Sequence, residues 1–198
     1  MKVMKRTIQL FALLAAIVAM VTACDVTTPN PGALEGLWGE GMIKSGNDDI
    51  EVVMRFTPNA QDSTKGEFII WYDGTATTED DAGEFSVDYS VCDLGTYKVE
   101  GDQVVLNYDP EKVGVKLDED DALDHAKELQ EAGEEGSVEA IAEDFKDMFS
   151  SFLGEKFQKL FKDRNNGLNR HTFKVEGDQL TLASGDVNDL ILTRQEEE

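Results

Sequence analysis

The chain predicts a mainly β domain: an antiparallel barrel of about eight to nine short strands in a meander, with a two-helix insertion before the last strands. Three observations carry this. Apolar and polar residues alternate at period two from Leu37 to Val91, as in strands with one dry and one wet face. An eleven-residue unit occurs twice, at 96–106 and 172–182, with the same residue at eight of the eleven positions. Each copy reads as strand, Gly-Asp turn, strand, the glycine supplying the positive φ of a tight hairpin. Between the copies the apolar spacing becomes helical.

The first strand opens at Leu37 and ends near Lys44, before a turn at Ser45-Gly46-Asn47-Asp48. The second sets Val52, Met54 and Phe56 on one face, opposite Glu51, Val53 and Arg55. Residues 58–65 read as a loop. The third strand sets Phe68, Ile70 and Tyr72 against Glu67, Ile69 and Trp71, and 73–83 is a polar connection with Glu79-Asp80-Asp81 at its tip. The fourth alternates most regularly: Phe85, Val87, Tyr89 and Val91 inward, Glu84, Ser86, Asp88 and Ser90 outward, with Cys92 on the wetter face. The two hairpin copies supply four more strands, and 189–194 a ninth.

The insertion spans about 118–166. Asp118, Glu119, Asp120 and Asp121 suit the positive end of a helix dipole. Leu123, Ala126 and Leu129 mark a short amphipathic helix that Gly133 and Gly136 end. Ser137 caps a second helix with apolar positions Val138, Ile141, Phe145, Met148, Phe149, Phe152, Phe157, Leu160 and Phe161, and Asn165-Asn166-Gly167 stops it. Gly154 is a point where it could bend. Phe145, Phe149 and Phe152 are expected to pack onto the barrel.

Residues 1–23 stand apart. Lys2, Lys5 and Arg6 precede an apolar run from Ile8 to Val21 that is short for a membrane span. The run Val21-Thr22-Ala23-Cys24 resembles a bacterial lipobox, which implies cleavage before Cys24 and lipidation of it, so that the membrane is a partner through the N-terminal lipid. Asp25 resembles an inner-membrane retention signal of enteric bacteria. The expected address is nevertheless the cell envelope at the outer membrane, on its periplasmic or surface face. Residues 24–33, with Pro29, Pro31 and Gly32, read as a linker, and 34–198 as a single domain of adequate size for a core.

The net charge is −23 over 198 residues, and removal of 1–23 takes away only positive charge. Such a surface repels nucleic-acid phosphates, so no nucleic-acid partner is expected. With Cys24 lipidated, Cys92 has no partner for an intrachain disulfide. A monomer is favoured.

Gly36-Leu37-Trp38 at the entrance of the first strand, with Arg194 at the end of the last, resembles the opening and closing residues of lipocalin-like barrels. The resemblance covers the β segments, 34–108 and 169–194, and the repeated hairpin is similar to those of lipocalin-like lipoproteins of gut bacteria. It implies that Trp38 packs against Arg194 and closes one barrel end. It also implies a cavity for a small apolar ligand, with Tyr72, Phe85, Tyr89, Tyr97 and Tyr108 as its candidate lining. The same five residues would equally fill a small barrel, since eight strands leave an interior just wide enough for side chains. The long insertion departs from the simplest lipocalin pattern.

Little else in the sequence points to chemistry. His125 and His171 are far apart and outside zinc-site spacing, and are expected to face solvent. No nucleophile elbow or phosphate-binding glycine loop is present. The acidic clusters at 48–49, 79–81 and 118–121 read as solvated loops, with weak Ca²⁺ binding as the alternative. No catalytic residue, metal or cofactor is expected. The sequence therefore predicts a lipid-anchored, non-enzymatic binding protein, or else a filled barrel that docks a protein or glycan through its surface.

Overall fold

A computed structural model describes residues 30–45, 48–80, 83–184 and 189–196. The described residues form nine strands: β1 (Gly36–Ser45), β2 (Asp48–Asn59), β3 (Asp62–Asp80), β4 (Gly83–Glu100), β5 (Gln103–Tyr108), β6 (Gly114–Leu117), β7 (Arg170–Glu176), β8 (Gln179–Ala183) and β9 (Leu190–Gln195). Two α-helices, α1 (Glu119–Ala132) and α2 (Val138–Asn165), lie between β6 and β7. The sheet runs β3-β2-β1-β9-β8-β7-β5-β4, and β4 pairs back onto β3. Eight strands thus close an antiparallel up-and-down barrel, and β6 is an extra strand added along β4. Closure removes the sheet edges that an open meander would expose.

Three expectations about strand boundaries need correction. Residues 58–65 are mostly strand, not loop: β2 runs to Asn59 and β3 starts at Asp62, with a two-residue turn between them and Pro58 opposite Gly66. Residues 73–80 continue β3, paired with β4 as far as Asp80↔Gly83. The fourth and fifth expected strands are one strand, β4, and the count of nine is restored by β6, which the sequence reading missed. The cause is local: the β2 pairing of β3 ends at Glu51↔Asp73, and from Gly74 to Thr77 the strand pairs only with β4 and lacks apolar alternation.

That overhang of β3 and β4 supports the helices. Asp118 accepts hydrogen bonds from the amides of Asp120 and Asp121 at the start of α1, and Gly133 ends it at φ 111. Asp118 and Asp121 also bond the backbone of Asp88, which fixes the helix start to β4. Ser137 caps α2, which is continuous through Gly154 for 28 residues, about 42 Å at 1.5 Å per residue. Its Phe145, Phe149 and Leu153 bury against Val87 of the overhang and Leu117 of β6. Each such side chain contributes roughly 1.5–3 kcal/mol when taken fully out of water. Phe152, expected to pack, is 48% exposed with the Lys156 ammonium 4.1 Å from its ring centre. Among the described residues no helix is long and apolar enough to cross a membrane.

Candidate functional site

The barrel has two differently built ends. At one, Trp38 of β1 lies opposite Arg194 of β9 in the strand register. Trp38 is wholly buried, and the guanidinium carbon of Arg194 sits 4.1 Å from its ring centre. The indole N–H donates to the Leu34 carbonyl at 2.8 Å, and Arg194 donates to the carbonyls of Glu35 at 2.8 Å and Ala33 at 3.1 Å. Those carbonyls belong to the short 3₁₀ turn Pro31–Leu34 and the residue after it. Gly36 is required twice over: its φ is +116, and a Cβ there would meet the Arg194 guanidinium at 2.8 Å.

The opposite end is covered by the last turns of α2. Phe161 is wholly buried within the barrel core. It stacks on Tyr108 at 4.9 Å and lies 6.0 Å from Tyr72, while Phe157 lies 5.6 Å from Tyr72. Arg164, one turn on, donates from one nitrogen to the Tyr72 hydroxyl at 3.2 Å and to the Tyr108 hydroxyl at 3.3 Å. Asn165 accepts from the Tyr108 amide and donates to the Tyr108 carbonyl, taking the place of a strand partner.

Burial, and then the neighbouring Tyr108, push the Tyr72 phenol above its ordinary range, so it stays protonated at physiological pH. His171 lies on β7 beside Val104, and burial followed by the charge of Arg164 holds it down at about 4, so it is neutral at pH 7. Asp93 is wholly buried on the face of β4 shared with Val91 and Tyr97, opposite Ile70. Burial raises it to about 7, offset in part by the amides of Leu94 and Asp109. It sits where β4 exchanges one partner for another, between Gly95↔Tyr108 and Cys92↔Gly114.

The five candidate lining residues are thus divided. Tyr72, Tyr97 and Tyr108 are buried in the barrel core. Tyr89 is half-buried between the barrel and the second core. Phe85 lies in that second core, its ring stacked 3.5 Å from His125 and 5.4 Å from Phe145. The histidines also depart from expectation: His125 is buried between those rings and His171 is half-buried. Their expected exposure fails because α1 and α2 fold back onto the sheet. Cys24 lies outside the described residues, and Cys92 is half-buried and free.

Sequence reasoning missed Arg164, Asn165 and Asp93. Two of these left a trace. Arg164 follows Phe157 and Phe161 at helical spacing, a cation in line with an apolar stripe. Asp93 continues the inward phase of Phe85, Val87, Tyr89 and Val91, where an apolar residue belongs. Among the described residues no group of His, Cys, Asp or Glu is placed to hold a metal ion. Compared with protein-family models and with curated proteins, the chain matches none.

Proposed function

We propose that the protein is a lipid-anchored, non-enzymatic, lipocalin-like binding protein of the bacterial cell envelope, its ligand small and largely apolar and bound at the barrel end that α2 covers. One observation carries this reading: that end is closed by a helix terminus. Phe157 and Phe161 enter from outside the sheet, and the contact is secured by a few side-chain hydrogen bonds from Arg164 and Asn165. An apolar recess with a few convergent polar groups is the usual make-up of a small-molecule site. A ligand there takes the place of Phe161 and must repay the burial that ring loses.

The filled-barrel reading has its own support. The rings of Phe56, Phe68, Tyr97 and Tyr108 meet edge to face at 5.3–5.4 Å in the pairs Phe56–Tyr97 and Phe68–Tyr108, and fill the interior beside them. An outer groove of about 360 Å³, lined by Glu67, Ile69, Leu94, Thr96, Asn107 and Lys112 among others, is the place for a docked partner.

The address and the ligand are tested together. Cys24→Ser should release the protein from membranes; continued co-sedimentation with them would remove the anchored reading. Native mass spectrometry of the protein from its own host should retain a small molecule that is lost when α2 is displaced. Recovery of ligand-free protein that instead captures a protein or glycan would favour the outer groove.

A further inference from the structure

The guanidinium of Arg164 points to the chemistry of the ligand. It is the donor in both of its contacts, because a guanidinium has no acceptor. The hydroxyl oxygens of Tyr72 and Tyr108 therefore accept, and each keeps its own proton to give elsewhere. Both tyrosines are more than nine-tenths buried, at 2% and 5% exposure, so water does not freely take up those protons. Two phenol hydroxyls thus meet at one guanidinium nitrogen of Arg164. Among the described residues no ion pair engages that cation, in a chain with 41 acidic residues. A partly buried charge without a counter-charge is costly, and a bound anion removes that cost.

The surroundings restrict which anion fits. The rings of Phe157, Phe161, Tyr72 and Tyr108 enclose the site with apolar surface. A net charge of −23 repels multiply charged species. His171 is neutral and adds no second cation, and Asp93, whose charge acts on the Tyr72 phenol, is close to half neutral at pH 7. A planar carboxylate matches the planar fork of an arginine and carries a single charge.

We propose that Arg164, Tyr72 and Tyr108 form the recognition site for the carboxylate of an otherwise apolar small molecule. This rests on the ligand-holding reading above and adds the polar group that the ligand must carry. The site comes half from the barrel and half from the inserted helix, so ligand and helix are linked: the Phe161 ring gives way to the apolar part of the ligand, while the anion keeps Arg164 of α2 tied to Tyr72 of β3 and Tyr108 of β5.

The test uses the full chain in non-ionic micelles, titrated calorimetrically at pH 6 with hexanoate and, separately, with 1-hexanol, against protein-free micelles. Hexanoate should bind at least tenfold more tightly than 1-hexanol. Arg164→Gln should weaken hexanoate by tenfold or more and leave 1-hexanol nearly unchanged. Tyr72→Phe and Tyr108→Phe remove one hydroxyl each while keeping the ring, and each should weaken hexanoate by about tenfold, the usual worth of a hydrogen bond to a charged group. If Arg164→Gln does not fold, the two tyrosine variants decide. Equal affinity for the acid and the alcohol overturns the carboxylate site and leaves the ligand-holding reading standing. Binding of neither overturns both.

Discussion

Both ends of the barrel are closed around an arginine and an aromatic ring, yet the two closures differ in what the arginine's protons meet. Arg194 lies on Trp38 and spends its donors on backbone carbonyls of Ala33 and Glu35, acceptors that have nothing further to give. Arg164 lies 5.8 Å from the Tyr108 ring centre and spends its donors on two hydroxyls, which do. The first closure joins neighbouring strands and is fixed once the sheet closes. The second joins the sheet to a helix inserted between β6 and β7. The difference separates a seal made within the sheet from a cover that a helix outside the sheet supplies.

The strongest way to break this comparison is to remove the ring at each end. Trp38→Ala should cost about 3–5 kcal/mol, the usual penalty for truncating a fully buried aromatic in a core. The loss should appear in the whole-domain melt, because β1 and β9 separate when the indole goes. Phe161→Ala should cost somewhat less, because the end of α2 can withdraw and water can enter the recess. In hydrogen exchange, protection should fall first in α2 for Phe161→Ala and in β1 and β9 for Trp38→Ala. Identical exchange patterns in the two variants would show that the ends form one cooperative unit.

The sealed end was legible in the sequence and the covered end was not, for a physical reason. Trp38 and Arg194 sit at the two termini of a meander, and a closed meander must bring its first and last strands together. The repeated hairpin was equally legible, since Gly101 and Gly177 both adopt the positive φ their turns need. Where α2 ends depends instead on how far β3 and β4 overhang. That length is hidden in the sequence because 73–77 pairs as strand without an apolar face. The burial of His125 followed from the same unseen overhang, on which Phe85 and Phe145 meet it.

A smaller effect sharpens the contrast by pH. Asp93 has a folded pKa of about 7 against an ordinary 3.8, so the folded state binds the proton more tightly. Stability contributed by this group is therefore full below about pH 4 and is lost as pH rises to about 7, by up to about 4 kcal/mol. His171 works the other way: held to about 4, it stays neutral while the unfolded chain protonates, so its effect raises stability between about pH 4 and 6.5. Glu100, lowered to about 2 by hydrogen bonds from Lys98 and Arg170, acts only at more acidic pH. The wild-type curve shows the sum. Subtracting the curve of Asp93→Asn should leave a decline confined to about pH 4–7, with the variant more stable at pH 8. A difference that is flat across that range would place Asp93 in contact with water.

The smallest expected effect tests the seal itself. A guanidinium on an indole face is worth about 0.5–2 kcal/mol, depending on how far both are desolvated. Here the indole is fully buried and the arginine is exposed at its outer side, so the lower half of that range applies. Arg194→Ala also leaves the carbonyls of Ala33 and Glu35 without their donor, but both can turn to water at the rim. The single variant should therefore lose about 1–2 kcal/mol, well short of the loss for Trp38→Ala. The two residues share one contact, so the double variant should lose less than the sum of the singles, by roughly the cation–π energy. Arg194→Lys keeps the charge and loses the planar stack and the second carbonyl bond, and should recover only part of the difference. Strict additivity in denaturant melts would mean that the strand register alone, and not the arginine on the indole, holds this end closed.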